Sequence, residues 1–183
     1  MMTAASVSGV VQAVALHAAA FLALLMASAG VHKLIHRSRA KRAIHEFVGV
    51  PLALAAPLAA AAALTEVIAA ALLWMPDSRA IGGVMAAALS GAYLLLMLRS
   101  LSNGKRDVDC GCSFGSAHHP LGAFDLARNT LLTLAAAGVA LTAGDAAATI
   151  GAPQILAGVA LLALYAALDQ VMALQPPRAG ELL

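Results

Sequence analysis

The sequence contains few charged residues, with 11 Lys or Arg and 9 Asp or Glu among 183 residues, or 11%. A soluble domain usually has about 25%. Hydrophobic residues make up 62% of the chain, and the mean hydropathy is +0.88. A soluble globule of this size cannot hide so much apolar surface. The net charge of +2 is also too small for a nucleic-acid surface. The shortage of charge therefore argues against a soluble enzyme, a disordered chain or a nucleic-acid partner, and it predicts a lipid bilayer as the surroundings.

The apolar residues fall into five stretches, each long enough to cross a hydrocarbon core about 30 Å thick. Backbone polar groups in lipid must pair within their own segment, so each stretch is predicted to be a helix. No linker or internal repeat divides the chain, which favours one integral membrane domain over residues 1–183. The predicted fold is all-α, a polytopic transmembrane helical bundle with spans at 7–31, 50–75, 80–98, 124–143 and 146–168.

The first span and the last two spans have alternative interpretations. The small residues Ala27, Ser28 and Ala29 resemble a signal-peptide cleavage site. No Lys or Arg precedes the first span, and it is longer than the apolar part of a signal peptide, so we expect a retained helix. Polar residues around Gly144 and Asp145 allow a re-entrant break in place of a turn between the last two spans.

The cations are distributed unequally between the two ends of this bundle. With five spans, one end holds Arg79 alone, whereas the other end holds the remaining ten Lys and Arg residues. Cytoplasmic loops carry an excess of Lys and Arg. We therefore predict a protein of the bacterial inner membrane, with its N-terminus outside and its two long loops in the cytoplasm.

The chain has two cysteines, and both lie in the polar loop at 99–123. Cys110 and Cys112 are separated by Gly111, whose lack of a side chain eases the strained backbone that a disulfide at this spacing needs. A strained disulfide is easily reduced, which favours an exchangeable dithiol as the catalytic pair. His118 and His119 complete four ligands of the types that tetrahedral zinc takes, so a metal site is an alternative. Two incidental cysteines are a third interpretation.

Three polar residues near or within the spans are further candidates. Glu66 is ionisable at membrane depth, which is costly and therefore suggests function. Counting from the predicted span ends places His17 at a similar depth, so a Glu66–His17 pair that relays a proton or binds a ligand is one prediction. The alternative is that Glu66 fixes helix packing. Arg128 opens the fourth span, where it either steadies a thiolate or ligand from inside the bundle or caps the helix at the interface.

Four segments together resemble the methylamine utilisation protein MauE family, which belongs with the DoxX-like membrane proteins. They are Ser28–Leu34 at the end of the first span, Glu66 in the second, Val108–Cys112 followed by Phe114 and Gly115, and Leu126–Asn129. The Cys-Gly-Cys element is the specific part. Ser113 departs from the family pattern because it separates Cys112 from Phe114, so the turn after the second cysteine is expected to differ.

The resemblance implies a four-helix core plus a C-terminal helix, and a role in protein maturation. Family members look like partners of a thioredoxin-like protein, MauD, in making the disulfide-rich small subunit of periplasmic methylamine dehydrogenase. A more distant similarity to vitamin K epoxide reductase-type bundles implies a quinone as electron carrier, at the level of fold analogy alone.

Three functional hypotheses follow. The first is a membrane component of a thiol–disulfide exchange system, the second a scaffold that docks a maturation factor, and the third a small transporter or metal-binding membrane protein. The first meets a conflict, since periplasmic disulfide chemistry requires cysteines outside whereas the charge asymmetry places them inside. A cytoplasmic pair could still relay electrons across the bundle to an outer partner.

Overall fold

The computed structural model describes residues 4–105, 121–142 and 148–174, and this part of the chain is helical without a strand. A 3-10 turn at Pro76–Ser78 joins the third helix to the fourth. Five of the six helices, all except the short second one, are long and apolar enough to cross a membrane. The all-α fold is therefore confirmed, and the five spans indicate a multi-pass membrane protein. The helices are α1 (Ala4–Ile35), α2 (Arg37–Val48), α3 (Leu52–Trp74), α4 (Arg79–Ser102), α5 (Ala123–Thr142) and α6 (Ala152–Ala173).

The middle spans lie close to their predicted positions, whereas the first helix is longer than predicted. α3 and α5 begin and end within two residues of 50–75 and 124–143. α1 continues beyond Val31 to Ile35, and its last turn contains His32 and Lys33. Cations suit the C-terminal end of a helix because the backbone carbonyls there carry partial negative charge. Lys33 therefore belongs to a bundle helix and not to the following loop.

The last helix differs most from its prediction of 146–168, since it begins at Ala152 and ends at Ala173. Pro153 lies in its first turn, where the missing N–H has no helical partner to lose. The backbone N–H of Gly151 donates to Oε1 of Gln154 at 3.1 Å and closes the same turn. A hydropathy-based boundary overlooks this start signal. The shift brings Asp169 into the helix.

The helices pack through small residues. α1 contacts α3, α5 and α6, and α4 contacts α3 and α5. A Cβ atom added to Gly83 would lie 2.8 Å from the backbone nitrogen of Ala140, so α4 and α5 meet backbone to backbone. Lipid is as apolar as the bundle interior, and close van der Waals packing must therefore hold the helices together. The buried core includes Ala19, Leu22, Met26, Leu73, Ala86, Ala136 and Val139.

The bundle has one strongly basic end. Successive spans run in opposite directions, so α2, the 103–122 connection and the end of α6 share one end, which we call the basic end. α2 packs against α3 through its buried residues Ala40 and Ala43 and exposes Arg37 and Arg42. Such an amphipathic helix suits the membrane interface. Gly49 ends it with a φ of 78°, a left-handed conformation that favours glycine.

Candidate functional site

A first group of charged residues joins α1, α3 and α4. Nζ of Lys33 lies 2.5 Å from Oε1 of Glu66, and the hydroxyl of Tyr93 donates to the same oxygen at 2.8 Å. The ammonium also lies 5.3 Å from the centre of the Tyr93 ring. Glu66 is 1% exposed and Lys33 is 8% exposed, so the pair is almost completely removed from solvent. We call Lys33, Glu66 and Tyr93 the Glu66 cluster.

A glycine explains why these helices come close enough to form the pair. A Cβ atom on Gly30 would lie 2.8 Å from the carbonyl oxygen of Ala63 and 3.2 Å from Cβ of Glu66. α1 and α3 therefore approach each other at Gly30. Lys33 is three residues further along α1 and lies on the same helical face. Its side chain reaches the carboxylate from there.

The predicted pair between Glu66 and His17 is not formed in the described structure. Nδ1 of His17 lies 2.7 Å from the carbonyl oxygen of Ala13, one turn earlier in its own helix. The contact of Gly30 with Glu66 shows that His17 lies 13 residues away from that depth along α1, or about 20 Å. The prediction aligned the outer ends of the two apolar stretches, whereas the close contact at Gly30 sets a different register between α1 and α3.

A second group of charged residues joins α5 to α6. Nη1 of Arg128 donates to Oδ1 of Asp169, and Nη2 lies 3.6 Å from Oδ1 of Asp125. The guanidinium also lies 5.2 Å from the ring centre of Tyr165. Arg128 is 7% exposed, and each carboxylate residue is 2% exposed. We call Asp125, Arg128 and Asp169 the Arg128 cluster. The prediction placed Arg128 either inside the bundle or at the interface, and its side chain points into the bundle.

A small internal cavity of about 30 Å³ lies between the two clusters. Glu66 and Tyr93 line it from one side, and Asn129 and Tyr165 line it from the other. Oε2 of Glu66 is buried and has no hydrogen-bond partner among the described residues. The cavity is large enough for a water molecule, which could donate to this oxygen. It is much smaller than the 300–1,000 Å³ of typical ligand pockets, so a quinone ring does not fit there.

The Arg128 cluster is attached to the segment that carries the cysteines. The backbone N–H of Gly122 donates to Oδ2 of Asp125 at 3.0 Å, and the neighbouring Leu121 is 5% exposed. This contact fixes the point where the connection from α4 enters α5. Cys110 and Cys112 themselves lie outside the described residues, as do the alternative metal ligands His118 and His119. Within the described ranges, no three His, Cys, Asp or Glu residues come together as a metal site.

Among the described residues, Arg79 is the one cation at the other end of the bundle, and it binds backbone carbonyls. Arg79 is 2% exposed, and it donates through Nε to the carbonyl of Leu73 at 3.2 Å and through Nη1 to the carbonyl of Ala148 at 3.0 Å. It therefore covers a carbonyl that has no intrahelical partner at the end of α3 and ties the 3-10 turn to the start of the last helix. The exposed Lys and Arg residues of the described chain all lie at the basic end.

Comparison with known proteins gives one consistent result. The family model for the methylamine utilisation protein MauE matches residues 11–143, which run from within α1 to just beyond the end of α5. The chain belongs to the MauE family. It is 28% identical to methylamine utilization protein MauE of Paracoccus denitrificans over 148 residues, which cover 79% of this chain and 80% of that protein. No solved structure matches. MauE-family membership implies a role in methylamine utilisation.

The described segments that carried the resemblance converge in the two clusters. Lys33 comes from the Ser28–Leu34 segment, Glu66 from the second span, and Arg128 and Asn129 from the Leu126–Asn129 segment. Sequence reasoning missed the other partners. Tyr93 is a single aromatic in an apolar run, and Asp169 lay one residue beyond the predicted last span. The start signal at Pro153 could have brought Asp169 into that span.

Proposed function

We propose that this chain is the membrane component of a thiol–disulfide exchange system that assists maturation of a periplasmic protein used in methylamine utilisation, such as methylamine dehydrogenase. Cys110 and Cys112 form the exchangeable pair. A thioredoxin-like protein of the MauD type is its redox partner, and a disulfide-rich subunit is the client. The role in methylamine utilisation follows from the family, and the thiol chemistry is the part that needs testing.

One observation carries the thiol proposal. The chain's two cysteines lie one residue apart in a segment whose described end is hydrogen-bonded to a buried, charged cluster. Buried ion pairs are costly to form and rigid once formed, so Asp125 holds its end of the segment in a defined place. A reactive pair next to a fixed anchor can be presented repeatedly to the same partner surface.

The electrons and protons of the exchange are all supplied and accepted by the two proteins. A thiolate from one cysteine attacks a sulfur of the partner's disulfide, and a mixed disulfide forms as one partner thiolate leaves. The second cysteine then attacks the mixed disulfide and releases the other partner thiolate. Two electrons and two protons pass from the Cys110–Cys112 dithiol to the partner, and the same steps run in reverse when the partner supplies the reducing equivalents.

The proposed orientation places the basic end in the cytoplasm. Arg79 supports this orientation, because the single cation at the opposite end binds backbone carbonyls instead of facing solvent. A membrane-impermeant maleimide applied to intact cells should leave the cysteines unlabelled, and permeabilised cells should show labelling. Labelling in intact cells would reverse the orientation and would place the pair on the same side as the periplasmic client.

Cysteine variants test the mechanism directly. In cells that depend on this chain for growth on methylamine, Cys112→Ser should accumulate a mixed disulfide between Cys110 and the thioredoxin-like partner. Non-reducing electrophoresis followed by mass spectrometry would identify the adduct. Ser113→Ala is the matched control, since it changes the neighbouring residue and keeps both thiols. Growth unchanged in the Cys110→Ser, Cys112→Ser double variant would refute the exchange mechanism.

The same experiment separates the second candidate function, a scaffold that docks a maturation factor without redox chemistry. The two charge clusters favour this alternative in one respect, because each joins two helices of the bundle through an ion pair and can serve packing alone. A scaffold predicts full growth of the double cysteine variant and loss of growth when the clusters are disrupted. The third hypothesis, a transporter that uses Glu66, requires a proteoliposome flux that Glu66→Gln abolishes.

A further inference from the structure

A groove of about 440 Å³ lies at the basic end, where α1 meets α2 and both pass the first half of α3. This volume is within the range of typical ligand pockets. One wall comes from the start of α2 and the other from the exposed side of α3. The first wall includes Arg37, Ser38 and Lys41, and the second includes Ala56, Ala60 and Leu64.

The α2 wall is positively charged. Arg37 and Lys41 are four residues apart on one helix, so they project from the same face. Nε of Arg37 donates to the carbonyl of Leu34 at 3.1 Å, which orients the guanidinium beside the groove. Lys33 also lines the groove, but its Nζ is bound to Glu66. No carboxylate is among the described residues of the lining, so the two cations of α2 are not neutralised within it.

The α3 wall is apolar, and most of its side chains are small. Ala56, Ala60 and Leu64 follow each other at intervals of four residues and form one stripe along the helix. All three are exposed on a helix that is long and apolar enough to span the membrane. The stripe lines the same groove as the cations and runs from near the start of α3 toward its middle. Cations and an apolar wall within one groove match a phosphate headgroup with an attached acyl chain.

We propose that this groove binds an anionic phospholipid, with Arg37, Ser38 and Lys41 around the headgroup phosphate and an acyl chain along Ala60 and Leu64. Basic pockets beside membrane helices on the cytoplasmic side are known to recognise such headgroups. A neutral quinone would not require two cations, and inorganic phosphate would not require the apolar stripe. The proposal does not involve the cysteines, so its test and the test of the proposed function can fail independently.

Native mass spectrometry of the purified chain in detergent tests the site. The probes are diphosphatidylglycerol and phosphatidylcholine with the same acyl chains. Diphosphatidylglycerol should bind, and its affinity should fall about 10- to 30-fold in the Arg37→Gln, Lys41→Gln variant, since each cation near a membrane surface contributes about fivefold. Phosphatidylcholine should bind weakly to both proteins, and inorganic phosphate at the same concentration should not displace the lipid.

Two further variants distinguish the groove from general charge. Arg42→Gln with Arg99→Gln removes the same charge from the basic end outside the groove, and it should lower affinity by less than about threefold because separated exposed charges are screened. Ala60→Phe keeps every cation but narrows the channel, and it should weaken binding as strongly as the loss of Arg37 and Lys41. Equal losses in the two charge variants would overturn the proposal. If the affinity falls in Ala60→Phe but not in Arg37→Gln, Lys41→Gln, the groove binds an uncharged ligand and the proposal is wrong. Unchanged binding in Ala60→Phe would also overturn the proposal.

Discussion

The two buried charge clusters are built from the same kind of ion pair, but they are connected to different parts of the molecule. The Glu66 cluster joins three helices and is approached through a water-sized cavity, with one carboxylate oxygen lacking a partner among the described residues. The Arg128 cluster joins α5 to α6 and is hydrogen-bonded to the end of the cysteine-bearing segment. The first cluster is therefore placed to fix helix packing, and the second to fix the position of the segment where we propose the chemistry.

The two clusters should also contribute differently to the free energy of unfolding. Arg128 neutralises two buried carboxylates. Lys33 neutralises one carboxylate, and its stem lines the groove beside α2, through which its ammonium can turn toward the interface. Removing the shared cation should therefore cost more than removing either partner of the other pair.

The largest effect is expected for Arg128→Ala. It removes the guanidinium that contacts both Asp125 and Asp169, and the loss of one partner from a buried ion pair costs about 3–5 kcal/mol. The free energy of unfolding can be measured by titration with a denaturing detergent in mixed micelles. Arg128→Lys is the control that keeps the charge but loses the planar guanidinium, and it should give a smaller loss. A loss below about 1 kcal/mol for Arg128→Ala would contradict the ion-pair assignment.

A smaller effect is expected for Glu66→Gln. The buried ammonium of Lys33 loses its counter-charge, but its ability to turn outward reduces the cost to about 2–3 kcal/mol. The informative control is Lys33→Met with Glu66→Met, since replacing a whole buried pair by apolar residues is often neutral or stabilising. If both stability and growth on methylamine return in this double variant, the cluster has a structural role. Restored stability without growth would assign Glu66 a functional role.

The smallest effect is expected for His17→Ala. Its ring contacts the carbonyl of Ala13 in its own helix and does not reach the Glu66 cluster. The free energy of unfolding should change by less than about 0.5 kcal/mol, as for other substitutions away from buried networks. A loss as large as that of Glu66→Gln, measured in the same titration, would mean that His17 and Glu66 are coupled and would restore the proton relay that the sequence suggested.

The sequence located the right side chains more often than the right partners. Glu66 and Arg128 stand out because charge at membrane depth is costly, and both are buried as that argument requires. The partners were harder to find. Lys33 lay two residues beyond the predicted first span, which ends at Val31, and Asp169 lay just outside a span that started too early. In both cases hydropathy marked the apolar stretch, whereas capping and dipole effects set where the helix ends.

Composition, the long apolar stretches and the distribution of charge alone determined that this protein is a bundle of membrane-spanning helices with one basic end, because lipid requires long apolar helices and cations collect on one side of the membrane. The cysteine spacing was likewise visible in the sequence. Only the tertiary structure decided that Glu66 pairs with Lys33 and that Arg128 pairs with Asp169. Those choices depend on helix register, and register is set by close contacts such as that of Gly30 with Ala63, which bring distant residues to the same depth.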